Sequence, residues 1–184
     1  MKGIAIASVL CLATFAASAA EDDQWRVGVA AAFSDFEGDA TFPLDDSTTG
    51  IQIFAQYQFK SWLGGEVAYH NLGEFESSRN STGNAAISFT GTSFSAMGYI
   101  PLPTEAAENI NLFAKIGYYD FDVDLTSDET SGIKTSIGHD TGIVLGVGTR
   151  VEIAEEFSIR AGFDWYDVDN SDLWSVILGL EYRF

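Results

Sequence analysis

Few side chains in this sequence are equipped for chemistry, and their placement limits what that chemistry is. His70 and His139 are the two histidines and Cys11 the one cysteine. Nucleophilic catalysis needs a serine with a histidine and an acid in reach. Serines are scattered throughout, but neither histidine has a local Ser-His-acid arrangement. His70 sits in an alternating apolar segment and His139 in a polar stretch beside Asp140. No catalytic residue, cofactor site or metal site is assigned. Asp120-x-Asp122-x-Asp124 offers oxygen ligands of the kind hard cations take, but it lacks the glycine and distal glutamate of a calcium loop. What remains is electrostatic. Charges stand singly inside otherwise apolar or small-residue segments: Arg26, Glu66, Lys115, Arg150, Glu152, Arg160, Asp164, Glu181 and Arg183.

The elements that must hold these charges are strands. The last twelve residues carry Trp174, Val176, Leu178, Leu180, Tyr182 and Phe184 on one face. Ser175, Gly179, Glu181 and Arg183 lie on the other, with Leu173 and Ile177 as exceptions. Period-2 alternation of this kind belongs to a strand with different surroundings on its two faces. Eight such segments are found: Gln24–Phe36, Gly50–Lys60, Trp62–Glu74, Ala86–Leu102, Ile110–Leu125, Thr141–Ile153, Phe157–Val168 and Leu173–Phe184. In the fourth, Ile87 and Phe89 fall out of phase with Phe94, Ala96, Gly98 and Ile100, which predicts a bulge near Gly91. In the fifth, Phe121 and Val123 also shift phase. Lys60-Ser61, Pro103–Asn109 and Ala154–Glu156 form the turns at one end. Gly38–Thr49, Phe75–Ala85, Ser127–Asp140 and Asp169–Asp172 close the other end, and three of these are long and polar.

The N-terminus speaks to compartment. Lys2, the apolar run Ile4–Ala17 and the small residues Ala17-Ser18-Ala19-Ala20 have the form of a signal peptide. Cleavage is expected after Ala19 or Ala20, which gives a signal at residues 1–20 and one domain at 21–184. The run is shorter than the roughly 20 residues of a spanning helix. Cys11 would leave with the signal, which excludes thiol catalysis and cysteine metal sites in the mature chain. A formal charge of −18 excludes a basic nucleic-acid footprint. After residue 20 the longest apolar run is Val27–Phe33, so a mature chain held in a membrane must be a closed barrel, since its backbone is satisfied in lipid no other way.

In each clear segment one face is apolar and nearly free of charge, while the other mixes Gly, Ser and Gln with the intra-strand charges. An eight-stranded soluble barrel of the lipocalin type would need the large apolar face inside. An eight-stranded barrel has little interior room, so the small residues suit the inside and the apolar face suits lipid. Trp25, Tyr57, Phe59, Trp62, Phe157, Tyr182 and Phe184 mark one interfacial belt; Tyr69, Trp165 and Trp174 lie nearer the other. The expected fold is an all-β, eight-stranded antiparallel transmembrane up-and-down barrel with both termini periplasmic.

On this register Arg26, Glu66, Lys115, Arg150, Glu152, Arg160, Glu181 and Arg183 face inward, along with Asp164 and His70. Arg26, Glu66, Lys115, Arg150, Arg160 and Glu181 count to a similar depth and are expected to form one layer of alternating charge. Buried charges are costly unless paired, so a salt-bridge network filling the lumen is expected. A structural plug is favoured over a gate or narrow ion path. The outer region is acidic: Asp35, Glu37, Asp39, Asp45 and Asp46; Glu74 and Glu76; Asp120, Asp122, Asp124, Asp128, Glu129 and Asp140; Asp164, Asp167, Asp169 and Asp172.

Glu66-Val67-Ala68-Tyr69-His70-Asn71-Leu72-Gly73, Phe113-Ala114-Lys115-Ile116-Gly117-Tyr118, the run Phe157–Val168 and the ending Gly179-Leu180-Glu181-Tyr182-Arg183-Phe184 carry a resemblance. With them the chain resembles the small OmpA-like outer-membrane β-barrels of proteobacteria over nearly all of residues 21–184. The resemblance implies a monomer in contact with outer-membrane lipid and lipopolysaccharide. It also implies insertion by an assembly machinery that reads the terminal aromatic strand, here Tyr182 and Phe184. Family roles run from envelope integrity and adhesion to small or gated pores. An OmpW-like channel would want an apolar tunnel, against which the charged inner layer argues. Some barrels of this size modify lipid A, but the histidines give that reading no support.

Overall fold

The computed structural model describes residues 24–37, 45–77, 85–101, 109–127, 133–168 and 171–184. The expected signal peptide and its cleavage site, and the acids Asp39, Asp128, Glu129 and Asp169, lie outside the described residues. Eight strands follow one another: β1 (Gln24–Glu37), β2 (Asp45–Lys60), β3 (Leu63–Ser77), β4 (Ala85–Pro101), β5 (Ile110–Ser127), β6 (Ile133–Glu152), β7 (Phe157–Val168) and β8 (Ser171–Arg183). Each pairs antiparallel with its sequence neighbour, and β8 returns to β1 with Arg26 opposite Arg183 and Glu37 opposite Asp172. The ring of hydrogen bonds is closed, so no strand edge faces lipid.

Side chains alternate between wall and lumen along each strand except at the register breaks. In β4, Phe94 is 63% and Ile100 65% exposed, while Met97 between them is 0%. Val27, Val29, Ile53, Ile116, Leu145, Val147, Phe163, Leu178 and Leu180 also project outward. In a protein surrounded by water this apolar belt would be a large exposed patch; in a bilayer it is the required surface.

Two expectations about phase are corrected. β4 pairs with β5 without interruption from Ala85–Ser127 to Pro101–Asn111, so there is no bulge at Gly91 and no phase change at Phe121. Ile87 and Phe89 are not displaced; they are lumenal residues that happen to be apolar. The irregularity lies on the neighbouring strand, where Leu72 and Gly73 of β3 together oppose Phe89. Gly73 has φ +90°, a conformation that costs a side-chain-bearing residue, and its N–H is held by Asn71 Oδ1 at 3.2 Å. The insertion lets both Leu72 and Phe75 face inward, each 0% exposed. Leu173 and Ile177, the apparent exceptions in the last strand, are lumenal for the same reason as Phe89 and are buried. β2 and β6 also start earlier than the alternation predicts, at Asp45 rather than Gly50 and at Ile133 rather than Thr141. Their outer ends carry Ser, Thr, Asp and Gly, which read as loop by composition.

The wall is not equally continuous along its height. β2 pairs with β3 only up to Ile51–Asn71, and β6 with β7 only up to Val144–Tyr166. Beyond those pairs, among the described residues, no ladder joins β2 to β3 or β6 to β7, although Gly73 still lies against Thr48 and Thr49 and Gly142 against the Asp167 carbonyl.

Candidate functional site

The lumen is filled in two storeys, and the lower one holds the charges. Arg160 of β7 is its centre and is 0% exposed. Its Nη1 donates to Glu66 Oε2. Its guanidinium lies 4.6 Å from the ring centroids of both Phe54 and Phe113. Two aromatic faces thus cover the cation where water is excluded. Glu66 also receives Lys115 Nζ at 3.1 Å and Gln56 Nε2 at 2.7 Å. Lys115 reaches on to Asp164 Oδ2 at 2.8 Å. Arg150 donates to Glu181 through Nε and to Gln56 Oε1 through Nη2, and packs 4.9 Å from the ring of Tyr99. Arg160 lies 3.8 Å from Glu181, which joins the two pairings.

Lys115, Arg150 and Arg160 are therefore matched by Glu66, Asp164 and Glu181, three cations against three anions. This balance is what the low dielectric of the interior demands. Asp164 is fully buried here. It belongs to the lumen and not to the outer acids with which its sequence position groups it.

Arg26, Glu152 and Arg183 form a separate rim group. Arg26 Nη2 lies 3.3 Å from Glu152 Oε1 and 3.2 Å from Gln24 Oε1, and its Nη1 donates to Ser158 Oγ at 3.3 Å. Arg183 Nη1 is 3.8 Å from the same Glu152 oxygen, and its Nη2 donates to the carbonyl of Glu155. The side chains of Glu152 and Arg183 are 32% and 28% exposed and sit at the mouth, while that of Arg26 is 5% exposed and lies buried behind them. Of the six residues expected in a single layer, Glu66, Lys115, Arg150, Arg160 and Glu181 are joined, and Arg26 pairs instead with Glu152. Strand tilt explains the difference: equal counts from the strand ends do not give equal depth in a sheared barrel. Gln56, Tyr99, Phe54, Phe113 and Ser158 complete the lower storey, and nothing about their types marks them in advance.

The upper storey is apolar. Phe36, Leu72, Phe75, Phe89, Tyr119, Phe121, Val144, Tyr166, Val168 and Leu173 form one buried cluster. Phe36, Phe75 and Phe89 make a triangle with centroid separations of 5.8, 5.7 and 5.9 Å. Tyr119 lies 4.6 Å from Phe121 and 5.6 Å from Tyr166. The Tyr119 hydroxyl sits 2.8 Å from Asp140 Oδ2 and 2.6 Å from the carbonyl of Asp167.

His70 stands between the storeys. Its Nε2 is 2.8 Å from Ser93 Oγ, and its Nδ1 is 3.3 Å from the Tyr166 hydroxyl. The Ser93–His70 distance is one a nucleophile and base would have. The group at the other imidazole nitrogen is however a phenol, and Ser93 and His70 are each 1% exposed beneath the aromatic cluster. The arrangement holds the ring between two hydroxyls and keeps the Ser93 hydroxyl buried. His139 is the opposite case: an exposed imidazole 2.9 Å from Asp122 and 3.9 Å from Asp120 on the outer surface.

Comparison with known proteins agrees with this architecture. Residues 5–184 match the family described as outer membrane protein beta-barrel domain, and the chain belongs to that family. It is an integral β-barrel protein of the outer membrane, with lipid against its apolar belt. It is 25% identical over 204 residues to outer membrane protein A of Yersinia pseudotuberculosis, covering 100% of this chain and 56% of that protein, so it spans about half the length of that relative. Among solved structures, Ail of Yersinia pestis, crystallised with the heparin analogue sucrose octasulfate, superposes with TM-score 0.64 at 17% identity. That match covers 89% of this chain and 99% of Ail. OprG of Pseudomonas aeruginosa gives TM-score 0.60 at 14% identity, covering 89% and 96%. At these identities the two structures speak to fold alone.

Proposed function

We propose that this protein is a non-enzymatic, non-conducting envelope barrel whose lumen is plugged and whose outer acidic surface makes the contacts outside the cell. The carrying observation is Arg160, fully buried on the axis of the charge network between Phe54, Phe113 and Glu66. A guanidinium held by a carboxylate and two ring faces fills the lumen. An ion passing it would have to break a buried pair, which costs about 3–5 kcal/mol. The balanced charges favour a plug over a pore, and the aromatic storey above adds a second barrier that an OmpW-like channel would lack. In planar bilayers the refolded protein is expected to give no stepwise conductance. Reproducible steps that disappear on heat unfolding would overturn the plug and favour the small or gated pore.

The domain reading is a signal peptide at residues 1–20 and the barrel domain at 21–184, with the barrel a monomer and both termini in the periplasm. Tyr182 and Phe184 are the contacts through which the assembly machinery would take up the closing strand. Lipopolysaccharide is the neighbour in the outer leaflet. The Ail structure contains a polysulfated ligand, but Asp120 and Asp122 of this chain are exposed carboxylates with side chains 60% and 58% accessible. Polyanions would be repelled here, so cationic partners are the complementary class. Lipid A modification is the remaining alternative. It predicts altered lipid A masses in cells making the protein, and the buried Ser93–His70 pair argues against it.

A further inference from the structure

We infer that the lumen binds a water molecule between the Gln52 amide of β2 and the Arg160 guanidinium. The site goes beyond the plugged-barrel reading and stands in a closed or a conducting barrel alike. Gln52 is 0% exposed, and among the described residues neither its Nε2 nor its Oε1 has a hydrogen-bond partner. Arg160 is also 0% exposed; its Nη1 donates to Glu66, while its Nε and Nη2 have no hydrogen-bond partner. Nearly all buried polar groups in folded proteins are hydrogen-bonded. Four such atoms on two side chains mark a place that a polar molecule completes.

Register and packing bring the two side chains into one neighbourhood. Gln52 pairs with Ala30, Ala30 with Gly179 and Gly179 with Arg160. Along that row the wall places nothing larger than a methyl group between them. Phe54 is the next lumenal residue on the strand of Gln52, and its ring centroid lies 4.6 Å from the Arg160 guanidinium. The nearby polar side chains are engaged elsewhere. His70, opposite Gln52 on β3, has its two nitrogens against Ser93 and Tyr166. Glu66 already receives Lys115, Gln56 and Nη1 of Arg160.

The donor and acceptor types select the ligand. Arg160 offers donors only, and the Gln52 amide offers both kinds. A water oxygen accepts from Arg160 while a water hydrogen reaches Gln52 Oε1, within the two to four bonds typical of a buried water. An anion would also accept from Arg160. Lys115, Arg150 and Arg160 are however already matched by Glu66, Asp164 and Glu181, so an added charge would stand unbalanced in a low dielectric. A cation would face the Arg160 donors.

The test is NMR of the full protein refolded in micelles, with its glutamines labelled. The Gln52 side-chain amide, assigned through its own backbone, should show a cross-peak to water of the sign given by a long-lived contact. The Gln56 amide is the control: it donates to Glu66 at 2.7 Å and accepts from Arg150, and should show none. In urea unfolding, Gln52→Leu should raise the unfolding constant roughly fivefold or more, because the Arg160 donors lose their acceptor. A Gln52→Leu barrel as stable as the wild type, or more stable, would overturn the site, since it would mean that the amide bonded to nothing. Lost stability without a water cross-peak in the wild type would overturn it in favour of a direct bond between Gln52 and Arg160. Wild-type stability that rises with chloride at constant ionic strength would place an anion there instead. Stepwise conductance in bilayers would overturn the plug and leave the water site untouched, so the two ideas fail separately.

Discussion

Replacing Glu66 by glutamine tests the charge network where it is densest. Glu66 faces Lys115 at 3.1 Å, the Arg160 guanidinium and Gln56 at 2.7 Å, with its side chain fully out of solvent. Glutamine keeps the shape and most of the hydrogen-bonding capacity but removes the charge. The inner group then holds Lys115, Arg150 and Arg160 against Asp164 and Glu181 alone. Removing one partner of a buried pair costs about 3–5 kcal/mol. Each charge-assisted bond lost carries about 1.5–3 kcal/mol, but the contributions overlap, so the whole effect is expected at ~3–5 kcal/mol. Glu152→Gln is the internal comparison. Its partners Arg26 and Arg183 lie at 3.3 and 3.8 Å, and about a third of its own side chain is exposed at the mouth. Pairs in water are worth about 0–1 kcal/mol. The assay is urea unfolding in lipid, read by heat-dependent gel mobility. A third variant, Glu66→Gln with Arg160→Met, leaves Lys115–Asp164 and Arg150–Glu181 as two intact pairs and should recover at least half of the loss, since neighbouring residues couple. If Glu66→Gln falls within ~1 kcal/mol of Glu152→Gln, or if the double variant is the sum of its parts, the lumen is not held by charge balance.

Two other perturbations address packing. His70→Phe keeps an aromatic ring near Phe121 and Tyr166 but leaves the Ser93 hydroxyl without its 2.8 Å partner. The expected cost is about 1–3 kcal/mol, largely relieved by adding Ser93→Ala in the same unfolding assay, and lipid A mass spectra should not change. Gly28→Val should destabilise by about 1–3 kcal/mol through overpacking, because the first carbon added already meets the Phe54 ring at 2.6 Å and the Leu180 carbonyl at 2.7 Å. Phe54 is the ring on which Arg160 rests, so the same variant should also loosen the Arg160 signals in NMR spectra of the refolded barrel.

Much of this molecule is legible before any coordinates because lipid is an uncompromising solvent. A strand in a membrane wall must alternate, and Val27, Val29, Ile53, Leu178 and Leu180 announce the outer face without help from the rest of the chain. Number of strands, closure and location follow from that pattern. Inward orientation of Arg26, Glu66, Lys115, Arg150, Glu152, Arg160, Glu181 and Arg183 follows from parity alone. Apolar residues on the lumenal face were the harder case. Phe89, Phe121, Leu173 and Ile177 interrupt an alternation of lipid-facing apolar with lumenal polar residues. Above the charges, both faces of the wall are apolar and the rule has no contrast to detect.

The amino-acid order by itself determined which residues face lipid, because a two-residue period needs only neighbours in sequence. Only the tertiary structure decided which lumenal groups meet. Glu66 finds Lys115 and Arg160 across the barrel, Arg26 turns instead to Glu152, and Leu72 with Gly73 inserts where Phe89 stands opposite. Those partnerships depend on strand tilt, on register and on one bulge at Gly73. Each of these is set by the closure of the whole ring, and no single strand encodes it.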